Sequence, residues 1–193
     1  MFIEPVADDA AEGLTAEVYE PEKERWGFLP GFVQLFSHHP EAYRAWLELV
    51  GTVYGGMDRR RCELATLAAT RVLRSTCCAI AHGKFLRDHF YPTEHVVRIA
   101  VDHHDAGLDA VDVAIMDFAE KVASDPAGTT EDDVAHLREL GLSDREIFNV
   151  ALAVAARAFF ATLIESLGTR AEKPLVDSLE PELRGALTVG RSV

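Results

Sequence analysis

The segment LSDREIFNVALAVAARAFFATLIESLG, residues 142 to 168, constrains the fold more than any other stretch. Apolar side chains at Ile147, Val150, Val154, Phe159, Leu163 and Leu167 recur every three to five positions, the spacing that gathers them on one face of an α-helix. Ser143 followed by Glu146 is a capping box, and Gly168 stands where a helix-ending glycine belongs. The alanine-rich middle lets a neighbour approach closely, so this helix is expected to occupy the centre of a bundle with Phe159 and Phe160 both in the core.

The same period runs through most of the chain. DAVDVAIMDFAEKVAS (109 to 124) repeats it with Val111, Ile115, Phe118 and Val122, and TTEDDVAHLRELG (129 to 141) opens on threonine caps and acidic residues that complement the helix dipole. PEAYRAWLELVGTVYGG (40 to 56) starts with Pro40 in its first turn and closes on Gly55 and Gly56. DRRRCELATLAATRVLRS (58 to 75), a helix through the adjacent cysteines and another near Glu94 to Val101 complete the set. No stretch alternates with a period of two, and no Asn-Gly or Asp-Gly pair marks a hairpin. The predicted fold class is therefore all-α, a compact helical bundle with residues 1–193 as one unit. An N-terminal extension of about residues 1–39 is expected to pack on the core through aromatics of the Gly/Pro-bounded connector GFLPGFVQLFSHHP. EKPLVDSLEPELRGALTVGRSV is expected to hold one short helix and a frayed end.

The formal charge of -13 argues against nucleic acid or an anionic membrane surface as partner, because no Lys/Arg cluster is present to release counterions. Cys62, Cys77 and Cys78 form an odd set with two neighbours, a poor disulfide framework, which favours a reducing cytoplasm. The first residues lack the basic and apolar regions of an export signal, and no window is apolar throughout a membrane-spanning length, so neither export nor membrane insertion is expected.

The chemistry concentrates in RSTCCAIAHGKF, residues 74 to 85. On a helix starting near Ser75 or Thr76, offsets of three and four residues place Ser75, Cys78 and His82 on one face. Cys78 falls in the first turn, where unpaired backbone N–H groups and the dipole favour a thiolate. His82 can take or return a proton, and Glu63 on the preceding helix supplies a carboxylate to hold that imidazole or an intervening water. The plain alternative is a buried cysteine in an accidental Cys-x3-His spacing.

The wider pattern Glu63-x11-Ser75-x2-Cys78-x3-His82-Gly83, within ELATLAATRVLRSTCCAIAHG, resembles the core of the alkyl hydroperoxidase D-like proteins of the carboxymuconolactone decarboxylase-like superfamily. The resemblance extends to GFLPGFVQLFSHHPEAYRAW upstream and GLSDREIFNVALAVAARAFFATLIESLG downstream, and is nearest the peroxidase-related subgroup. It implies that Cys78 reduces a hydroperoxide and becomes a sulfenic acid, with Glu63 and His82 relaying protons and no cofactor. The position of the resolving cysteine holds Ser75, which forms no disulfide. The resemblance thus implies an external thiol reductant, a substitute thiol at Cys77 or Cys62, or absent or weak peroxidase activity. Cys77 diverges from Cys78 by about 100° on a helix, and core packing is the expected role for it and for Cys62. The resemblance also implies a homo-oligomer: dimer, trimer or hexamer. Two other readings stand beside the peroxidase: a cofactor-free decarboxylase or lyase, and a catalytically silent helical oligomer that binds a ligand.

His38 with His39, and His103 with His104, are expected on solvated loops or helix ends, because adjacent residues point apart and no metal-ligand spacing accompanies them. No metal is expected. His89 and His95 are candidates for a pocket mouth. Trp26, Phe28, Phe32, Phe36, Tyr43 and Trp46 are expected in the core, with a roof over an apolar pocket as the alternative. Surface ion pairing is the expectation for Arg71, Arg74 and Arg157, with a role beside Cys78 as the alternative.

Overall fold

The computed structural model describes residues 1–193 and contains eleven α-helices and no strand. They are α1 (Gly13–Trp26), α2 (Gly31–Leu35), α3 (Pro40–Gly56), α4 (Arg59–Val72), α5 (Thr76–His89), α6 (Thr93–Val101), α7 (Ala110–Ser124), α8 (Glu131–Glu139), α9 (Asp144–Ser166), α10 (Lys173–Asp177) and α11 (Pro181–Leu187). The all-α expectation holds.

The helix that is buried all round is α4, not α9. Every residue from Cys62 to Thr70 is buried, and α4 packs against α7, α5 and α9. Small Ala65, Ala68 and Ala69 permit this close approach, while Thr66 and Thr70 return their hydroxyls to the carbonyls of Cys62 and Leu67 at 2.6 and 2.8 Å. Its basic opening is consumed locally: Arg60 and Arg61 both pair with the buried Asp112 of α7. The capping box of Ser143 and Glu146 starts α9 as the sequence predicts, yet α9 keeps one outer face. Phe159 is half exposed and only Phe160 is buried, because one residue's rotation of about 100° separates the two faces. An 18-residue window of α9 has mean hydropathy 2.0, enough to cross a bilayer by composition, and 56% of it is buried against other helices.

The two ends of the chain hold more structure than the pattern suggested. Residues 1–39 include α1, whose apolar spacing is weak and interrupted by Pro21, and it packs on α2 and α3. Two short helices, α10 and α11, replace the single one expected near the C-terminus. The last residues are docked rather than frayed: Gly190 donates its N–H to Thr76 Oγ1 at 2.9 Å, and Arg191 reaches the Glu165 carbonyl at 3.0 Å. A Cβ at Gly190 would lie 1.8 Å from the Arg74 carbonyl oxygen, so only glycine permits this approach.

Candidate active site

The turn between α4 and α5 sets the register of the site. Arg74 adopts a left-handed φ of 54°, and Ser75 N–H donates back to the Thr70 carbonyl at 3.0 Å, so α5 restarts at once. Ser75 occupies the N-cap position, but its hydroxyl donates to Glu165 Oε1 of α9 at 2.9 Å instead of capping the helix. Cys78 follows in the first turn of α5, and His82 lies one turn further on the same face.

Both line one cavity of about 120 Å³, together with Glu63 of α4. His82 Nδ1 meets Glu63 Oε2 at 2.5 Å, and Arg59 Nη2 holds the other carboxylate oxygen at 2.7 Å. Satisfying Glu63 with an Nδ1–H leaves His82 Nε2 as the lone-pair nitrogen. Burial and the Arg157 cation hold the His82 pKa below its ordinary value against the pull of Glu63, so the ring is neutral at pH 7. For Glu63, burial alone would raise the pKa, but His82, Arg59 and Arg157 outweigh it and hold the carboxylate ionised.

Arg157, from α9, approaches Cys78 Sγ at 3.7 Å through Nη1. It is buried, makes no salt bridge and leaves Nε without a partner, which overturns the surface ion-pair expectation for this arginine. Its guanidinium sits 5.8 Å from the Trp46 ring centre and 5.4 Å from Phe160, where aromatic faces compensate part of its lost hydration. Arg59 is similarly placed 3.6 Å from Tyr54 and 4.3 Å from Phe85. Of the aromatics read from the sequence, Trp26, Phe32, Tyr43 and Trp46 line the cavity, while Phe36 packs behind them against Phe160. The extension contributes Glu22, Arg25 and Trp26 of α1 to the wall, with Trp26 Nε1 donating to Glu22 at 2.9 Å.

Structure gathers Glu63, Cys78, His82 and Cys77 around the cavity, and leaves Ser75 outside it. Burial pushes the Cys77 thiol far up, reinforced by the neighbouring Cys78 and by Glu172 and Glu165, which makes it a packed and unreactive group. Cys62 packs with Val53 and Ala153, and burial plus Glu63 raises it to about 11. His89 and His95 are not at the mouth; they pack on Phe85 and Tyr91 at 4.3 and 4.7 Å. Arg71 and Arg74 are also remote from the cavity. Sequence reasoning missed Arg59 and Glu165. The first was readable as an i,i+4 partner of Glu63, whereas the second depends on how α9 crosses α5.

His103 and His104 lie on a loop as expected and His104 is exposed, but His103 is buried and the two rings do not point apart. Their rings stack at 4.2 Å and both Nε2 atoms meet Asp117 Oδ1 of α7, at 2.7 and 2.9 Å.

No family model matches the chain, and no curated protein matches it in sequence. Solved structures do match. The alkylhydroperoxidase AhpD core, a peroxidase-related protein from Ralstonia eutropha JMP134, superposes with a TM-score of 0.76 at 22% identity over 90% of this chain and 96% of that one. A peroxidase-related protein from Silicibacter sp. TM1040 gives a TM-score of 0.76 at 19% identity, covering 91% of each chain. The debrominase Bmp8, as a cysteine-to-alanine variant in complex with 2,3,4-tribromopyrrole, gives a TM-score of 0.73 at 15% identity over 97% of this chain and 96% of that one. The chain has the AhpD-like fold.

Proposed function

We propose that the protein is a thiol-dependent peroxidase that reduces organic hydroperoxides at Cys78. The observation that carries this reading is the convergence of Cys78, the Glu63–His82 pair and Arg157 on one aromatic-walled cavity. His82 Nε2 accepts the thiol proton, and the sulfur attacks the outer peroxide oxygen. The O–O bond breaks, the proton passes to the departing alkoxide, and Cys78 becomes a sulfenic acid. Arg157 offers charge to the thiolate and to the developing alkoxide. One external thiol condenses with the sulfenic acid, releasing water; a second displaces it as a disulfide and restores Cys78. Ser75, bonded to Glu165, leaves this step to the external donor. The aromatic walls favour an organic hydroperoxide over hydrogen peroxide, since apolar surface in the substrate gains by burial there.

The aromatic walls and the likeness to a debrominase that holds a brominated pyrrole support a second reading, with a halogenated arene as the electrophile. Sulfur would then take bromine as its electron-poor partner, the arene carbanion would collect a proton through His82, and two thiols would release bromide and a disulfide. A panel of hydrogen peroxide, aryl and alkyl hydroperoxides and bromoarenes, with several thiol donors, separates the readings. Thiol-dependent loss of aryl hydroperoxide in wild type, absent in Cys78→Ser, supports the first. Bromide release with untouched peroxides replaces it by the second. Turnover retained in Cys78→Ser moves the chemistry to Glu63 and His82, as a lyase requires, and no turnover in either protein leaves a ligand-binding scaffold.

The reading includes self-association, because α9 exposes Phe148 and Phe159, at 64% and 50%, on one face. A reducing cytoplasm suits its dependence on an external thiol.

A further inference from the structure

We propose that His103, His104 and Asp117 bind one divalent transition-metal ion of the zinc type, at a site separate from the Cys78 cavity. None of the three lines that cavity; the histidines lie in the α6–α7 connection and Asp117 on α7. Their ligand atoms, two Nε2 and one carboxylate oxygen, all lie within 4.8 Å of one another. Zinc holds nitrogen and oxygen ligands at about 2.0–2.2 Å, which places ligand atoms at comparable mutual separations, so small side-chain rotations admit the ion.

The outer nitrogens make the stronger argument. His104 Nδ1 faces Asp102 Oδ1 at 3.1 Å, and that carboxylate is fixed by the His104 backbone N–H at 3.0 Å. His103 Nδ1 faces Glu120 Oε1 at 3.9 Å. The Asp102 carboxylate at His104 Nδ1 selects the tautomer whose Nε2 carries the lone pair, the arrangement found behind metal-bound histidines. Both Nε2 atoms converge on the same oxygen of Asp117, which sets the three ligand groups face to face. Asp102, Asp117 and Glu120 surround the two rings with no Lys or Arg paired to any of them, so their negative charge favours a dication. Two imidazoles and one carboxylate suit zinc, nickel or cobalt better than magnesium or calcium. His104 and Asp117 are half exposed, which lets ions enter and water complete the shell.

The test uses the full chain, stripped with chelator and titrated with Zn2+ by calorimetry, with Co2+ as a spectroscopic probe. Wild type should bind one equivalent, at least ten-fold more tightly than Asp117→Asn or His104→Gln. Asp102→Asn, which removes only the outer carboxylate, should weaken binding about 10- to 100-fold. Cys77→Ser and Cys78→Ser should bind as wild type does. Circular dichroism establishes that each variant is folded, and substituting the half-exposed His104 and Asp117 avoids disturbing the buried His103. Absence of saturable zinc binding overturns the proposal and leaves an ion-pair cluster. Equal affinity in the Asp117 and His104 variants overturns it too, as does a cobalt spectrum with thiolate charge transfer that vanishes in a cysteine variant.

Discussion

His82 is a buried histidine made useful by its neighbours. Glu63 fixes its orientation, and burial together with Arg157 keeps it neutral, so it can accept a proton at pH 7. Removing that acceptor in His82→Gln should lower the peroxidase kcat by about 10²–10⁴-fold, measured at saturating thiol. Cys62→Ser and Cys77→Ser should retain most activity, because burial keeps both thiols protonated. Stability should depend on pH through the same pair. Burial and Arg157 place His82 below its ordinary 6.5, and Glu63, despite burial, lies below its ordinary 4.5 because of His82, Arg59 and Arg157. Each group binds its proton less readily folded than unfolded. The contribution of each is therefore intact above its unfolded value and declines as pH falls through its folded one. Urea midpoints should drop on acidification, with His82→Gln flattening the upper part of the curve and Glu63→Gln the lower. Cys78 and His82 were legible as one face, because helical geometry brings an interval of four together, whereas Glu63 on the preceding helix was singled out by the wider pattern that resembles the alkyl hydroperoxidase D-like core. Arg157 was readable only as an alternative to a surface ion pair, since its place beside Cys78 depends on how α9 packs in the bundle and a lone arginine looks like any surface cation.

Among the helices, α5 shows how a terminus is assembled from distant parts of the chain. Ser75 serves Glu165 of α9, Thr76 receives Gly190 from the C-terminal tail, and Arg191 reaches back to the Glu165 carbonyl. Ser75→Ala should destabilise by about 1 kcal/mol in urea denaturation, by depriving the partly buried Glu165 of a hydrogen bond. Ser143→Ala should cost a similar ~1 kcal/mol by breaking the α9 capping box. The periodic helices α3, α7, α8 and α9, the last two opened by capping boxes, were readable because local signals agree with the tertiary fold. The others were obscured for identifiable reasons. Pro21 interrupts the pattern of α1, and α10 and α11 are too short to display a period. The central role passed to α4 because its small residues admit neighbours on all sides, a property of the assembled bundle that the apolar stripe of α9 does not reveal.

The assembled molecule makes its cavity from α1, α2, α3, α4, α5 and α9, so the chemistry exists only once residues far apart in sequence have packed. The same assembly leaves Phe148 and Phe159 facing outward on α9. Light scattering after size exclusion should find an oligomer for wild type and a smaller species for Phe159→Glu, whose charge is costly in an apolar interface. The enzyme reading depends on whether the Cys78 sulfur, 3.7 Å from Arg157, performs the oxygen transfer. Stoichiometric aryl hydroperoxide added to the full chain with dimedone, followed by peptide mass spectrometry, reads this directly. A single adduct on Cys78, absent from Cys78→Ser and much reduced in His82→Gln, is the predicted result; peroxide left intact beside an unmodified Cys78 would contradict it.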